Sequence, residues 1–437
     1  MKSFLKNISQ LDLHPRTGKV LQYVGLVIEA SGPDVCIGDI CQVFPSNGGQ
    51  PILSEVVGFK DGRVLLMPFG RVKGISLGSQ VIATGQSATI GVSEQMLGKV
   101  LDAFGHPLNT KETIIAESNY PLYREPHNPM SREKIESFLY SGINVIDLFT
   151  PIGKGQRLGI FAGSGVGKSS LLGMFAKNIT CDVNVIALIG ERGREVRDFV
   201  DDILGPEGMK QTIVIVATSD QPALVRTHAV YSALAIAEFF CDQGKNVLLT
   251  LDSITRFAMA QREIGLAVGE PPTSRGYTPS VFSSLSPIVE RAGNFSKKGS
   301  ISALFTVLVE GDDLNDPISD FMRGILDGHI VLSRDLSNKG IYPSVDILQS
   351  KSRLFNQLVT SEHKKLIVKS MQWLSDFQQS KDMIEIGAYE KGTSETIDRA
   401  IHFQRELRSL ITQDGKVSQS LKHVLSRLGA IIRKCDG

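Results

Sequence analysis

One ten-residue stretch constrains the fold of this chain more than any other feature of its sequence. Residues 161–170 read FAGSGVGKSS and lie between a hydrophobic, strand-like run and a helix-forming run. Glycine permits the backbone conformations that turn successive N–H groups inward around an anion. The helix that follows directs the positive end of its dipole at the same anion. The pattern predicts a strand, a phosphate-binding loop and a helix within an α/β sheet.

Each position of this loop has an expected task. Lys168 supplies a positive charge to the outer phosphates of a nucleoside triphosphate, and the hydroxyl of Ser169 is placed for Mg²⁺. A dinucleotide-binding fold is the weaker interpretation, because Lys168 and Ser169 have no role in it. Ala162 stands where the pattern usually begins with glycine, which costs little if its φ is negative. The other loop residues expected to contact the nucleotide are Gly163, Ser164, Gly165, Val166, Gly167 and Ser170.

Length and composition describe a soluble globular protein of two or three domains. The 437 residues exceed one ordinary core, and 42% of them are hydrophobic against 21% charged. The 47 Lys and Arg residues nearly balance the 46 Asp and Glu residues, so no overall charge favours nucleic acid or an anionic membrane. Scattered cysteines without a C-x-x-C pair indicate reduced thiols. With neither a signal-peptide pattern nor an apolar run of roughly 18 residues, the expected location is the cytoplasm.

The hydrophobic pattern changes twice along the chain and predicts three domains. Short apolar runs between turn residues predict a small β-barrel in residues 1–95. Near-continuous apolar strands alternating with helices predict a parallel α/β domain in residues 96–355, because strands buried on both faces carry such runs. Strand patterns then disappear, and residues 356–437 are expected to form a helical subdomain.

Some segments within these domains are specific enough to be tested individually. A polar, proline-containing stretch that ends at about residue 135 is expected to be an extended entry linker. Barrel strands are expected at 20–28, 64–67 and 79–83, and buried strands at 184–189, 212–217, 246–251 and 302–308. Helices are expected at 222–240, 396–411 and 418–432.

Two acidic residues follow predicted strands and are expected to complete the phosphate site. Asp252 ends the strand at 247–252, at the sheet edge where ligands gather, and is expected to hold the metal directly or through water; the alternative is a helix cap. Glu191 follows the strand at 185–189 and faces the γ-phosphate if that strand neighbours the phosphate-loop strand. We assign Glu191 as the base or water-positioning group, with Glu195 as the rival and a plain surface carboxylate as the alternative.

Four further side chains are candidates for contacts with nucleotide or with a neighbouring subunit. Arg192, together with Arg194, is expected to neutralise phosphate or to cross an interface, unless it forms an ordinary ion pair with a nearby carboxylate. Tyr342 is followed by a rigid proline and is expected to stack on adenine, unless it packs in the core. Arg353 follows small polar residues and is expected to act across an interface as an arginine finger, unless it forms a structural salt bridge.

Taken together, these motifs resemble the α and β subunits of rotary ATPases. The resemblance rests on the phosphate loop, on GERGRE at 190–195, on the strand that ends in Asp252 and on PSVDILQSKS at 343–352, and it covers roughly residues 18–437. Within that superfamily, several stretches resemble the flagellar protein-export ATPases and their injectisome relatives. These stretches are NPMSR at 128–132, GQRLGIF at 155–161, VEGDD at 309–313, DPISD at 316–320, ILDGHIVLSR at 325–334 and IGAYEKG at 386–392.

The resemblance implies an architecture and an activity. The architecture is an N-terminal small β-barrel, a central RecA-like P-loop domain with a mainly parallel sheet, and a C-terminal helical subdomain. The activity is that of an ATP-hydrolysing motor for protein export through a flagellar type III secretion apparatus, with ATP and Mg²⁺ bound between the subunits of a homohexamer. In such a ring Glu191 is the catalytic glutamate, Arg353 the finger acting in trans and Tyr342 the adenine stacker. Lys168 and Arg192 complete the expected catalytic set.

The same resemblance implies partners. They are a stator-like regulator, a central-stalk-like coiled-coil protein, export-gate membrane proteins and chaperone–cargo complexes, which hold the chain peripherally at the inner membrane. No nucleic acid is expected. The N-terminal segment is short beside that of the longer export ATPases, and its apolar residues either dock the stator-like partner as a short helix or fray. These residues are Phe4, Leu5, Ile8, Leu11 and Leu13.

Three other functions stay open on the sequence alone. The first is the injectisome ATPase of the same family. The second is a ring subunit that binds nucleotide without hydrolysing it, against which Glu191 argues. The third is an RNA-tracking hexameric helicase, which needs exposed aromatic and basic residues on the barrel. The barrel aromatics sit mostly among apolar residues, which favours core packing; they are Tyr23, Phe44, Phe59 and Phe69.

Overall fold

The computed structural model describes residues 16–413 and 419–436, so the apolar N-terminal residues expected to dock or fray lie outside the described part. Three regions follow one another along the described chain: a closed β-barrel, an α/β region around one large sheet, and a group of long helices. The predicted fold class is confirmed.

Six strands form the barrel. They are β1 (Thr17–Val24), β2 (Val27–Ala30), β3 (Asp39–Val43), β4 (Ile52–Lys60), β5 (Arg63–Pro68) and β6 (Gln80–Ser87). The sheet closes in the order β1-β2-β5-β4-β3-β6, so each strand is paired on both sides. Inward-facing residues such as Ile28, Val43 and Leu66 are fully buried and form the barrel core.

Two predictions about the barrel are wrong. The run at 20–28 is not one strand, because the chain turns at Gly25, whose φ is +59°, and forms the hairpin of β1 and β2. Tyr23 and Phe59 do not pack in the core, since their exposed fractions are 47% and 52%. Both lie beside hairpin turns, where the strands extend past the barrel core.

The segment between barrel and large sheet is packed, so the predicted extended linker is also wrong. β7 (Thr89–Val92) pairs with β9 (Ser118–Pro121), β8 (Val100–Leu101) joins the edge of the large sheet, and β10 (Phe138–Leu139) pairs with β11 (Ile152–Gly153). Leu101 and Leu122 are fully buried. The polar residues act as anchors: Arg124 Nη1 lies 3.2 Å from Asp242 Oδ2. Arg124 and Arg132 thus form ion pairs that tie this stretch to the α/β region.

The large sheet aligns the carboxyl ends of its central strands along one edge. Its longer strands are β12 (Arg157–Ala162), β13 (Val183–Ile189), β14 (Thr212–Ala217), β15 (Asn246–Asp252), β17 (Ser300–Leu308), β18 (Gly328–Leu332) and β19 (Val345–Ser352), and β16 (Gly293–Asn294) is short. The order is β19-β18-β12-β17-β15-β13-β14-β8, with β16 beside β17. Neighbours are parallel except for β16 and β19. The predicted buried strands are confirmed, and the segments after β12, β13 and β15 meet at one edge.

Helices cover both faces of this sheet. They are α1 (Asn144–Phe149), α2 (Lys168–Asn178), α3 (Gly193–Asp198), α4 (Gly205–Met209), α5 (Ala223–Asp242), α6 (Ile254–Val268), α7 (Pro279–Glu290), α8 (Pro317–Ile325), α9 (Arg334–Asn338) and α10 (Phe355–Leu358). A π-helical turn (Phe199–Leu204) joins α3 to α4. Within the described residues, only α5 is long and apolar enough to cross a membrane, yet 89% of its apolar window is buried. It packs on β13, β14 and β15, as a core helix does.

Long helices complete the described chain. They are α11 (Ser361–Glu385), α12 (Glu395–Ile411) and α13 (Leu421–Asp436). The helices predicted at 396–411 and 418–432 correspond to α12 and α13. Their apolar faces pack on one another and on α1, around Trp373 and Phe403, whose rings meet edge to face at 5.1 Å. This packing brings Gln413, just after α12, next to Tyr342 at the carboxyl edge of the sheet.

Candidate functional site

The predicted phosphate loop connects β12 to α2 at the carboxyl edge. Gly165 and Gly167 have φ values of +77° and +92°, in the left-handed region that glycine adopts without strain. Ala162 still belongs to β12, so its backbone is extended and alanine causes no strain there, as predicted. The loop and the start of α2 expose three hydroxyls to a ligand, those of Ser164, Ser169 and Ser170.

Lys168 lies between two carboxylates. Its Nζ is 2.5 Å from Asp252 Oδ1 and 3.1 Å from Glu191 Oε1, and all three side chains are largely buried. Burial by itself lowers the pKa of Lys168, but the charges of Asp252 and Glu191 outweigh it, so the pKa is raised above the ordinary lysine value. One formal positive charge against two negative charges leaves the cluster one negative charge in excess. An added cation therefore suits this edge of the sheet.

Glu191 reaches Lys168 in a different way from the one predicted. The strand β13 does not neighbour β12, because β17 and β15 lie between them, so the condition stated for the position of Glu191 is not met. The two side chains meet instead over the carboxyl ends of the intervening strands. Gly190 (φ +70°) turns the chain after β13, and a Cβ there would lie 3.0 Å from Arg256 Cγ. The turn that presents Glu191 thus requires glycine.

Asp252 is held by a residue that sequence reasoning missed. Thr306 in β17 donates from Oγ1 to Asp252 Oδ1 at 2.7 Å. The alternative role of a helix cap belongs to the next residue, because the Ser253 side chain accepts a hydrogen bond from the Arg256 N–H at the start of α6. The Asp252 carboxylate is therefore committed to the cluster around Lys168.

The donor atoms at this edge fit a hard divalent cation. The Ser169 hydroxyl and the carboxylates of Asp252 and Glu191 are oxygen ligands of the kind that Mg²⁺ prefers. Across residues 16–413 and 419–436, no group of three or more His, Cys, Asp or Glu side chains is arranged to hold a metal alone. A Mg²⁺ ion here would complete its coordination with phosphate and water, as it does in many nucleotide sites.

Tyr342 stands over the start of α2. A Cβ at Gly167 would lie 3.2 Å from the Tyr342 ring, so glycine leaves space beside the aromatic face. The residue is 41% exposed, and together with Pro343, Ser170 and Gln413 it lines a cavity of about 360 Å³. Core packing, the alternative, is not what the structure shows. An open aromatic face beside the phosphate loop suits a planar base.

Two further residues hold this part of the site and were missed. The Gln413 backbone N–H donates to the Tyr342 carbonyl at 2.9 Å, and the Gln413 side-chain Oε1 accepts from the Asn144 N–H at 2.7 Å. Ser344 donates from its hydroxyl to the Val166 carbonyl at 2.6 Å. Ser344 lies inside the specific motif at 343–352, which was a usable signal. Gln413 follows α12 with no local signal.

The structure does not bring Arg353 to the phosphate loop of its own chain. Because β19 runs antiparallel to β18, its last residue, Ser352, pairs with Gly328 at the amino edge of the sheet. That edge lies roughly 15–20 Å from the phosphate loop, the length of a six-residue strand. The Arg353 guanidinium donates to the carbonyls of Arg323 and Gly324 at 2.8 and 3.2 Å, so its partners are not the carboxylate of a structural salt bridge.

Arg192 also points away from the cluster around Lys168. Its side chain is 84% exposed, and its Nη1 lies 3.7 Å from Glu195 Oε1. Arg194 forms a similar pair with Asp198, at 3.6 Å. Exposed pairs of this kind contribute only about 0–1 kcal/mol. Both arginines can therefore exchange their partners at little cost.

Three family descriptions match the chain. The nucleotide-binding domain of the ATP synthase alpha/beta family matches residues 142–352, and the beta-barrel domain of that family matches residues 20–85. The C-terminal domain of the type III secretion ATPase EscN matches residues 359–430.

Individual proteins agree with these matches. The flagellum-specific ATP synthase of Bacillus subtilis (strain 168) is 50% identical over 98% of both chains. The type 3 secretion system ATPase of Xanthomonas euvesicatoria is 41% identical over 98% of this chain and 96% of that protein. The assembled ATPase EscN from enteropathogenic E. coli superposes with a TM-score of 0.89 at 40% identity, over 95% of this chain and all of EscN. EscN in complex with its central stalk EscO superposes with a TM-score of 0.86 at 39% identity, over the same shares. The chain therefore belongs to the ATP synthase α/β family, within its group of flagellum-specific and type III secretion ATPases.

Proposed function

We propose that this ATPase serves a flagellar export apparatus and hydrolyses MgATP at sites formed between neighbouring copies of the chain in a homohexameric ring. The observation that carries the proposal is a separation of two sets of side chains. Lys168, Glu191 and Asp252 meet at the carboxyl edge of the sheet, whereas Arg353 lies at the amino edge. Flagellum-specific relatives range from 41% to 50% identity, against 41% for the type 3 secretion system ATPase of Xanthomonas euvesicatoria, and this supports the flagellar assignment over the injectisome.

At the carboxyl edge, each side chain has a distinct task. Lys168 and the loop N–H groups bind the outer phosphates, and Tyr342 stacks on adenine. Ser169 and Asp252 hold Mg²⁺, which when bound neutralises charge on the phosphates. Glu191 orients the attacking water and accepts its proton, and the contact with Lys168 keeps the glutamate at the edge where the γ-phosphate arrives.

The additional positive charge that the carboxyl edge needs for catalysis comes from a second copy of the chain. Arg353 of one copy reaches the γ-phosphate bound by the next, where its guanidinium stabilises the negative charge of the transition state. Arg192, exposed just after Glu191, faces the same interface. The other partners we propose are a central-stalk-like coiled-coil protein, a stator-like regulator, export-gate membrane proteins and chaperone–cargo complexes. These partners hold the ring on the cytoplasmic side of the inner membrane.

The first experiment measures the ATPase rate per subunit against protein concentration. For the wild type we expect a steep rise with concentration, because each site needs two copies. Arg353→Ala should abolish the rise, whereas the control Arg399→Ala, which removes a partly exposed arginine of α12, should keep it. A rate that is flat in concentration and independent of Arg353 would overturn the shared site.

A mixing experiment tests the same point with dead subunits only. Glu191→Gln and Arg353→Ala are each inactive alone, but a mixed ring contains interfaces at which one copy supplies Glu191 and the next supplies Arg353. With random assembly of equal amounts, about a quarter of the head-to-tail interfaces are intact, so about a quarter of the wild-type rate should return. No recovery in rings shown to be mixed would contradict a site shared in this way.

A further inference from the structure

An arginine with no role assigned so far, the last residue of the stretch ILDGHIVLSR at 325–334, is bonded to the back of the phosphate loop. Arg334 is the first residue of α9, and its Nη1 donates to the Ser164 carbonyl at 3.1 Å. Its Nε donates to Asp312 Oδ2 at 2.9 Å. The guanidinium thus connects the loop backbone to a carboxylate on the segment that follows β17.

Asp312, which carries this carboxylate, has an unusual backbone conformation. Gly311 and Asp312 both have positive φ, +63° and +58°. Arg275, itself at φ +50°, pairs with Asp313 at 3.0 Å and with Asp316 at 3.0 Å on the same segment. Non-glycine residues rarely hold such backbone angles unless their surroundings impose them, and they concentrate at functional sites.

The close approach of this pair leaves little room for a side chain at one glycine of the motif. Gly163 does not have a positive φ, so its backbone conformation alone does not demand glycine. A Cβ at Gly163 would collide with Asp312 Oδ1 and would lie 2.8 Å from Arg334 Nη2. Glycine at this position therefore makes room for Asp312 and Arg334.

A hydrogen bond that fixes the carbonyl of a peptide group also fixes the direction of the N–H in the same peptide group. In a trans peptide the C=O of one residue and the N–H of the next point in opposite directions. Arg334 bonds the Ser164 carbonyl, and Ser344 bonds the Val166 carbonyl at 2.6 Å. The N–H groups of Gly165 and Gly167 must then point away from these two donors.

We propose that Arg334 and Asp312, assisted by Ser344, are positioning residues that pre-orient the amides of the phosphate loop for the phosphates of the nucleotide. Asp312 keeps the Arg334 guanidinium in place, and Arg334 keeps the Ser164–Gly165 peptide in the orientation that binds an anion. The inference rests on the proposed nucleotide site. It adds residues that touch neither nucleotide nor metal.

The test compares two probes that share only the phosphate contacts. MgADP uses both the phosphate loop and the Tyr342 pocket, whereas magnesium pyrophosphate uses the loop alone. Arg334→Gln should raise the Kd of both probes on the order of tenfold, the effect of losing a charged hydrogen bond. Asp312→Asn and Ser344→Ala should raise both by roughly threefold, and Arg334→Lys should fall between Arg334→Gln and wild type. Tyr342→Ala should weaken MgADP only.

Controls separate this inference from the site on which it rests. Asp335→Asn removes an exposed carboxylate beside Arg334, and its Kd values should match those of the wild type. Melting temperatures measured without ligand show which variants are folded. If Arg334→Gln is not folded, the Kd values of Arg334→Lys and Asp312→Asn are used in its place. If Lys168→Ala abolishes binding while both probes bind the Arg334 and Asp312 variants within twofold of wild type, the positioning role is overturned. A loss confined to MgADP overturns it too. If Lys168→Ala binds normally, the proposed nucleotide site itself falls.

Discussion

Two buried ion clusters in this molecule are built from similar side chains but differ in charge balance and in access for a ligand. At the packed connector, Arg291 is 1% exposed, bonds both oxygens of Glu238 at 2.7 and 3.0 Å, and donates to the Leu122 carbonyl at 2.6 Å. At the carboxyl edge, two carboxylates face the single ammonium of Lys168, beside exposed hydroxyls. The first cluster is closed and satisfied, whereas the second is open and has excess negative charge. Burial of charge does not identify a functional site; unfilled bonding capacity with access for a ligand does.

The largest expected effect is a loss of kcat at the cluster around Lys168, which the connector cluster should not show. Glu191→Gln should lower kcat of the assembled protein by about 10²–10⁴-fold, because the amide cannot accept a proton from water. The free energy of unfolding should hold or rise, since the change removes the excess negative charge at Lys168. Steady-state ATPase assays and urea titrations measure the two quantities. Glu195→Gln is the matched control and should stay near the wild-type rate; turnover near wild type in Glu191→Gln would end its assignment as the base.

The connector cluster should respond in the opposite way. Arg291→Met leaves Glu238 buried without its closest cation and should cost about 3–5 kcal/mol of unfolding free energy. The kcat of the folded, assembled fraction should not change, because this cluster does not contact the site. Urea denaturation measures the loss, with Arg399→Met at a partly exposed arginine as the control. Unchanged stability, or a loss of turnover without a loss of stability, would contradict the structural role.

A third buried carboxyl, without any cation, adds a pH test to the comparison. Burial raises the pKa of Glu55 to about 7, against the opposing hydrogen bond from Tyr123, whose hydroxyl lies 2.6 Å away. The folded protein therefore binds this proton more tightly than the unfolded chain does, and stability falls as pH rises from about 4.5 through 7. Glu55→Gln should be about 2–3 kcal/mol more stable than wild type at pH 8 and similar to it at pH 5. Equal stability differences at both pH values would remove this explanation.

The smallest expected effect concerns the base pocket at the open cluster. Tyr342→Ala should raise KM for ATP roughly tenfold with a smaller change in kcat, because stacking on a base contributes about 1–3 kcal/mol. Tyr342→Phe keeps the ring and should stay near wild type. Initial rates of the assembled protein across ATP concentrations give both constants. A defect in Tyr342→Phe as large as that in Tyr342→Ala would point to the hydroxyl, which bonds Ser337, in place of the ring.

Features encoded by neighbouring residues were predictable. The strands of the large sheet, α5 and α12 each carry a hydrophobic period that can be read locally. Glu191 and Asp252 lie beside Lys168 although β13 does not neighbour β12. The reason is general: every parallel strand of a sheet ends at the same edge, whatever the strand order.

Features that depend on the packing of distant segments were not predictable. The connector looked like a linker because its charged partners, on α5 and directly after α7, lie far away in sequence. Tyr23 and Phe59 looked like core residues because their apolar neighbours do not reveal where the hairpins leave the barrel.

The sequence by itself determined the phosphate loop, the strands and helices that flank it, and the acidic residues at the strand ends, since short-range periodicity and glycine conformation suffice for these. Only the tertiary structure decided the strand order and the place of Arg353 at the opposite edge. It also brought Thr306 to Asp252, and Arg334 and Ser344 to the carbonyls of the phosphate loop. Each of these contacts joins segments more than 50 residues apart. They form only when the sheet is assembled, and although Ser344 and Arg334 lie in stretches that carry the family resemblance, no local pattern predicts their partners.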